Sequence, residues 1–123
     1  MKVAVIGVGT MGKHHVRVYS ELPEVELVAV SDANQAQAQE TASKFGIRAY
    51  TNHTEMLNKE KPDVVSVAVP TALHEQVGMD VLEAGAHVLI EKPIAATLEE
   101  GKRLIEKAKS VKKQLMIGHV VRF

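Results

Sequence analysis

The sequence predicts an α/β fold built on a doubly wound parallel sheet of six strands, with helices on both faces. Short apolar runs, which are typical of strands buried on both faces, alternate along the chain with amphipathic helical patterns. A glycine-rich turn, Gly7 to Gly12, separates the first apolar run from the first helical pattern, and Asp32 ends the second run. The alternation and the turn together indicate parallel strands joined by crossover helices.

Each expected strand is a short apolar run that ends at a turn-forming or polar residue. Pro23 enforces the break before the second strand, and Pro70 stops the fourth. The expected strands are residues 3–6, 27–30, 47–50, 64–69, 87–90 and 115–117. Because crossovers between parallel strands are right-handed, we expect the sheet order 3-2-1-4-5-6.

Caps and glycine stops mark the helices. Gly46 and Gly85 follow helical patterns and act as stop signals, and Asn52 with Glu55 is typical of a capping box. The expected helices cover residues 11–21, 34–45, 52–58 and 72–84, and a last helix starts at residue 97.

The last helix is expected to begin at Thr97, which caps reciprocally with Glu100. Apolar side chains recur along it at helical spacing, so we expect them to be buried. They are Leu98, Leu104, Ile105, Ala108 and Val111.

Composition limits the functions that this chain can perform. The 123 residues fit one domain, residues 1–123, with no internal linker. Lys plus Arg and Asp plus Glu both number 15, so the chain has no net charge to attract nucleic acid or an acidic membrane. No cysteine is present, which excludes disulfides, thiolate metal sites and a cysteine nucleophile, and the histidine spacing predicts no metal. Without a signal peptide or a membrane-length apolar run, we expect a cytoplasmic protein.

The glycine turn has the spacing of a dinucleotide site. Gly7 permits the tight turn out of the strand, Gly9 lets a pyrophosphate approach the backbone, and Gly12 lets the next helix pack on the sheet. The helix that starts near Thr10 and Met11 then directs its unpaired N–H groups and positive dipole end at the phosphates. A phosphotransfer loop is excluded because no Gly-Lys-Ser/Thr follows.

Asp32 stands where a carboxylate accepts hydrogen bonds from both hydroxyls of the adenosine ribose and repels a 2′-phosphate. No Arg or Lys occurs at positions 33–39, so NAD(H) is favoured over NADP(H). The competing interpretation is a turn whose glycines serve the backbone alone, with Asp32 an ordinary strand-end residue.

Ligands of such sheets bind at the carboxyl ends of the strands, beside the switch between the first and fourth strands. This rule selects a second set of cofactor-binding candidates. They are Val69, Pro70, Thr71, His74, Glu91, Lys92 and Pro93.

Lys92 is the candidate catalytic residue of this set, because an ammonium at the end of the fifth strand can bind the nicotinamide ribose or stabilise a developing alkoxide. The alternative is a solvated lysine paired with Glu91. His74 either contacts the nicotinamide half of the cofactor or is a surface histidine. One of His14 and His15 is expected to pack on the sheet or reach a phosphate.

Motifs along the whole chain resemble those of the glucose-fructose oxidoreductase and inositol dehydrogenase family (Gfo/Idh/MocA). The segments that carry the resemblance are Gly7 to Gly12 with His15, residues 28–32, Phe45-Gly46, residues 62–65, residues 69–74, residues 84–88, Glu91-Lys92-Pro93 and residues 118–123.

This resemblance implies a Rossmann-fold NAD(P)-binding domain followed by a substrate domain that forms the oligomer interface. Such proteins act on a secondary alcohol or carbonyl of sugars, cyclitols or sugar nucleotides, and the final motif favours substrates of the UDP-N-acetylglucosamine type. Lys92 matches the family's active-site lysine, which works with an aspartate and a histidine of the substrate domain. We expect that domain to lie outside these 123 residues, so His119 does not take the histidine's role.

A free-standing dinucleotide-binding or regulatory module without catalysis is the alternative function. An apolar surface around residues 120–123 and the last helix would favour the fragment of a larger enzyme, whereas a polar surface would favour the module.

Overall fold

The computed structural model describes residues 1–91 and 93–118, and the structural statements below concern this part of the chain. The sequence predictions for Lys92, His119 and residues 120–123 lie outside the described residues. No described helix has the length and apolar character that crossing a membrane requires.

Six parallel strands form one sheet in the order β3-β2-β1-β4-β5-β6, which confirms the predicted order. The strands are β1 (Lys2–Ile6), β2 (Glu26–Ser31), β3 (Arg48–Tyr50), β4 (Val64–Val67), β5 (His87–Glu91) and β6 (Leu115–Gly118). Because β1 pairs with both β2 and β4, the chain changes direction across the sheet at β1, and a crevice is expected beyond the carboxyl ends of these strands.

Five α-helices connect the strands, and a short 3-10 turn over Thr71–Leu73 precedes the fourth. The helices are α1 (Thr10–Glu21), α2 (Gln35–Phe45), α3 (His53–Glu60), α4 (His74–Glu83) and α5 (Leu98–Ser110). Their boundaries differ from the predicted ones by a few residues, as expected for helix ends.

The largest difference lies between β4 and α4. The sequence predicts that β4 continues to Val69, but the strand ends at Val67. Ala68 donates a last hydrogen bond to the Ile6 carbonyl over 2.8 Å. Pro70 has no N–H to donate, so the chain leaves the sheet and makes the 3-10 turn before α4.

Two apolar cores lie on opposite faces of the sheet, because alternate side chains of a strand point to opposite sides. Ala4 and Ile6 of β1 belong to the core under α3, α4 and α5, whereas Val5 belongs to the core under α1 and α2. This arrangement confirms that helices cover both faces.

The expected burial along α5 is partly wrong. Leu104 and Ala108 are buried, but Leu98 is 70% exposed and Ile105 is 43% exposed. The face that meets the sheet is centred on Gly101, Leu104 and Ala108. Leu98 and Ile105 lie about 120° and about 100° around the helix from Leu104, outside the contact.

Both predicted N-caps form, but neither is a complete reciprocal capping box. The Glu55 carboxylate lies 3.5 Å from Lys59 Nζ and not on the Asn52 N–H. Asn52 Oδ1 accepts hydrogen bonds from the N–H groups of Thr54 and Glu55. Thr97 Oγ1 accepts from the Glu100 N–H over 3.2 Å, but Glu100 Oε1 accepts from the Ala96 N–H and not from that of Thr97. The carboxylate therefore reaches one residue further back than a reciprocal capping box requires.

Candidate functional site

The glycine turn between β1 and α1 is closely packed. Gly7 has φ +93°, and a Cβ added to it would lie 2.6 Å from the Ala68 carbonyl oxygen. A Cβ added to Gly12 would lie 1.7 Å from the Gly7 carbonyl oxygen. A side chain at either position is incompatible with this packing, so both glycines bring α1 directly onto the turn.

Gly9 has the opposite environment. A Cβ added there would meet no atom within 4 Å, so the turn is open on this side. Gly9 caps α1 through its backbone only, and the first turn of α1 contains no acidic side chain. An open surface in front of free helix N–H groups fits the binding of a pyrophosphate.

Asp32 is held beside this turn at the end of β2. Its Oδ2 accepts a hydrogen bond from the Val8 N–H over 2.8 Å, and its Oδ1 accepts one from the Asn34 N–H over 2.8 Å. Each carboxylate oxygen can accept a further hydrogen bond. The side chain is half-buried, so it can still receive hydroxyl groups from a ligand.

A cleft of about 430 Å³ joins the predicted residues on both sides of the switch point. It brings together Gly7, Gly9, Asp32, Val69 and Pro70, all of which the sequence predicts for the site. Sequence reasoning missed several other lining residues. These are Gln37, Thr51, His53, Leu73, Gln76 and Val77.

Two of these missed residues could have been found from their place in the chain. Thr51 directly follows β3, and His53 begins α3, so both lie at the carboxyl edge of the sheet, where the ligand rule applies. His53 Nε2 lies 2.8 Å from Asp80 Oδ2, which fixes the ring at the wall of the cleft.

The other predicted site residues are distributed around this cleft. Thr10 lines a separate cleft of about 590 Å³ between α1 and α2, together with Lys13, His14, Arg17 and Lys44. Met11 and Thr71 are half-buried, and Pro93 is exposed.

His74 is buried, so the alternative of a surface histidine is wrong. Its Nδ1 lies 2.9 Å from the Pro93 carbonyl oxygen and 3.0 Å from that of Ile94, while its Nε2 lies 3.0 Å from the Val69 carbonyl oxygen. Carbonyl oxygens only accept hydrogen bonds, so a ring N–H is the donor in each hydrogen bond that forms here. His74 therefore links the segment after β4 to the segment after β5.

His15 packs on the sheet, as expected for one of the two neighbouring histidines, and it bonds Glu91 at the end of β5. The two side chains are buried, and His15 Nε2 lies 2.8 Å from Glu91 Oε1. Glu91 Oε2 is also buried and has no hydrogen-bond partner among the described residues. Sequence reasoning missed this pair, because it assigned Glu91 to the cofactor or to Lys92.

Two hydroxyl groups complete the network around His15. Its Nδ1 lies 3.3 Å from Ser66 Oγ, and the Tyr19 hydroxyl lies 2.5 Å from the same oxygen. Burial raises the pKa of Tyr19, and the Glu91 carboxylate also raises it. Tyr19 is therefore a neutral hydroxyl at ordinary pH.

The described residues contain no group of three or more His, Asp or Glu side chains that could hold a metal ion. The site instead combines an open glycine turn, a fixed carboxylate and a cleft across the switch point. These features fit a dinucleotide, whose phosphates and ribose need such groups.

Known proteins are similar to this chain in sequence and in fold. A family model described as an oxidoreductase family with an NAD-binding Rossmann fold matches residues 1–119. The D-glucoside 3-dehydrogenase of Escherichia coli (strain K12) is 38% identical over 125 residues, which cover 100% of this chain and 36% of that protein. The UDP-N-acetylglucosamine 3-dehydrogenase of Acidithiobacillus ferrooxidans is 36% identical over 122 residues, which cover 99% of this chain and 38% of that protein.

A solved structure agrees with these relatives. The crystal structure of GenD2 from gentamicin A biosynthesis, in complex with NAD, superposes with a TM-score of 0.92 and 34% identity, covering 96% of this chain and 34% of that one. The chain thus spans between a third and two fifths of the length of these relatives. It belongs to the Gfo/Idh/MocA oxidoreductase family, as an NAD-binding Rossmann domain.

Proposed function

We propose that this chain is the NAD(H)-binding part of an oxidoreductase that transfers hydride between nicotinamide and a secondary alcohol or carbonyl group. The observation that carries the proposal is the open turn at Gly9 beside the fixed carboxylate of Asp32. Relatives named as dehydrogenases of a glucoside and of UDP-N-acetylglucosamine favour a sugar, cyclitol or sugar nucleotide as the substrate.

Different residues along the cleft would bind different parts of the cofactor. The N–H groups that begin α1 would bind the pyrophosphate at Gly9, and Asp32 would accept the hydroxyls of the adenosine ribose. The bound cofactor supplies the carbon that exchanges hydride with the substrate. Lys92, next to the end of β5, would donate a hydrogen bond to the reacting oxygen and stabilise charge that develops there.

This chain alone should bind NAD(H) and show little or no turnover, because positioning of the substrate supplies a large share of an enzyme's rate enhancement. The substrate residues would come from a further domain or from a partner chain. A free-standing binding module remains the second candidate, but the relatives named as dehydrogenases favour the enzyme. The cytoplasmic location and the homo-oligomer expected from the sequence stay predictions.

A preference for NAD(H) over NADP(H) is part of the proposal. A 2′-phosphate would approach Asp32, and two like charges in this cleft repel each other. Positions 33–39 provide no Arg or Lys to compensate for that repulsion. The unmodified chain should therefore bind NADH more tightly than NADPH.

Calorimetric titration with NADH and NADPH at matched salt tests this preference. The double variant Asp32→Ser with Ala33→Arg should relax or invert it, because it removes the repelling carboxylate and adds a cation. Ser43→Arg, which adds the same charge at an exposed position of α2 beyond residues 33–39, is the matched control and should keep the original preference. Unchanged selectivity in the double variant would contradict the role of Asp32.

A further inference from the structure

We propose that His15 is a positioning residue for Lys92, acting through Glu91. This inference rests on the proposed function, because it assigns a role to a residue that would support the reacting end of the cofactor. It concerns the buried network of His15, Ser66, Tyr19 and Glu91, which we name the α1–β5 network.

The His15–Glu91 contact is too specific to be simple packing. His15 is 4% exposed and Glu91 is 8% exposed, and their polar atoms meet at 2.8 Å. Burial of a carboxylate is costly unless it is hydrogen-bonded, and an apolar pair would fill the same space without that cost. A buried polar pair at this place therefore points to a need for fixed geometry.

The orientation of the His15 ring is set from both ends. Ser66 Oγ holds Nδ1 and Glu91 holds Nε2, so the ring bridges β4 and β5 from its place on α1. The Tyr19 hydroxyl, one helical turn further along α1, holds Ser66 in place. The helix that begins at the phosphate-binding turn is thus tied to the end of β5.

Glu91 is the last residue of β5, and Lys92 follows it directly. On the other side of Lys92, the carbonyl groups of Pro93 and Ile94 are hydrogen-bonded by His74. Buried histidines therefore hold the chain both before and after Lys92. Because Lys92 is covalently bonded to Glu91, the contact of Glu91 with His15 constrains the backbone immediately before Lys92.

A double-mutant cycle tests the coupling of His15 to Lys92. The variants are His15→Leu, Lys92→Ala and the combination, and the ligands are NADH and ADP-ribose, which lacks the nicotinamide. Calorimetry gives the affinity of the whole chain for each ligand. NADH fluorescence gives a second measure of the affinity for NADH.

If His15 acts through Lys92, each single variant should lose roughly tenfold in NADH affinity, the size expected for one lost hydrogen bond to a charged group. ADP-ribose affinity should stay within about twofold, and the double variant should lose no more NADH affinity than Lys92→Ala alone. His15→Gln, which keeps a donor near the position of Nε2, should recover most of the loss. His14→Gln, one residue earlier on α1, is the matched control and should leave both affinities unchanged.

The inference is overturned if His15→Leu weakens both ligands equally, if it weakens neither, or if its effect adds to that of Lys92→Ala. Should His15→Leu fail to fold, Ser66→Ala loosens the same ring, and a loss of about threefold confined to NADH is then expected. An unmodified chain that binds neither ligand would overturn the proposed function together with this inference. Binding of both ligands with additive losses would overturn this inference alone.

Discussion

Gly9 and Gly12 stand three residues apart in one turn and have opposite environments. A Cβ at Gly12 would lie 1.7 Å from the Gly7 carbonyl oxygen, so this glycine is required by the protein itself. A Cβ at Gly9 would meet nothing within 4 Å, so the protein alone does not require it. A ligand bound in the space in front of Gly9 would explain the second glycine.

Alanine substitutions should separate these two requirements. Gly12→Ala should lower the free energy of unfolding by roughly 3 kcal/mol, because backbone must move to admit the methyl group. Gly9→Ala should change that free energy by about 0.5 kcal/mol or less and still weaken NADH binding roughly tenfold. Urea unfolding and calorimetry measure the two effects. Equal NADH affinity in Gly9→Ala and the unmodified chain would contradict the assignment of the phosphate-binding site to Gly9.

Glu60 is a buried carboxylate with a structural role. Its Oε1 accepts a hydrogen bond from Arg48 Nη2 over 2.7 Å, and its Oε2 accepts one from the Tyr50 hydroxyl over 2.6 Å. The hydrogen bond from Arg48 lowers the pKa of Glu60 below its ordinary value of 4.5, against the opposing effect of burial. Glu60 thus ties the end of α3 to β3.

The lowered pKa of Glu60 predicts an acid dependence of stability. Since the folded pKa is below the unfolded value of 4.5, the charged carboxylate stabilises the fold above that value. This stabilisation is lost as the pH falls through the lower folded pKa. Glu60→Gln should therefore be less stable than the unmodified chain at neutral pH, and the difference should shrink in acid.

Urea unfolding measured from about pH 7 down to about pH 3 checks this dependence. Glu24→Gln, which changes an exposed carboxylate before β2, is the control and should follow the unmodified chain. A Glu60→Gln curve that stays parallel to the unmodified one at every pH would show that Arg48 does not lower the pKa of Glu60.

Helix α5 shows how far periodicity predicts an element. Spacing correctly identified the helix, its Thr97 cap and the buried Leu104, but it also selected Leu98 and Ile105, which are exposed. A helical pattern identifies the apolar positions of a helix. Packing against the sheet and α4 determines which of those positions are buried. The sequence of α5 alone therefore does not determine the angle at which this helix packs on the sheet.

Leu104 and Leu98 therefore make a matched pair on α5. Leu104→Ala should lower the free energy of unfolding by about 2 to 5 kcal/mol, because Leu104 is fully buried and leaves a cavity. Leu98→Ala, at 70% exposure, should change it by about 0.5 kcal/mol or less. Thermal or urea unfolding compares them, and similar losses in both variants would contradict the burial described for α5.

For the molecule as a whole, the six-strand order followed from the sequence because right-handed crossovers and alternating patterns allow few arrangements. The placement of Gly7, Gly9 and Asp32 in one cleft followed from the same topology. The contact between His15 and Glu91 did not, because 76 positions separate the two residues and neither belongs to a local pattern of spacing. Long-range polar pairs depend on how the helices pack on the sheet. Local sequence motifs do not determine that packing.

The hydrogen bond from the Val8 N–H to Asp32 Oδ2 has a consequence for engineering coenzyme preference. The carboxylate that would discriminate between the two coenzymes also supports the loop on which both would rest. A substitution that removes the Asp32 carboxylate leaves the Val8 N–H without its acceptor. A change in coenzyme preference would then be accompanied by a less stable glycine turn. A replacement side chain should therefore keep an oxygen within reach of Val8, and serine at position 32 is a better starting point than alanine.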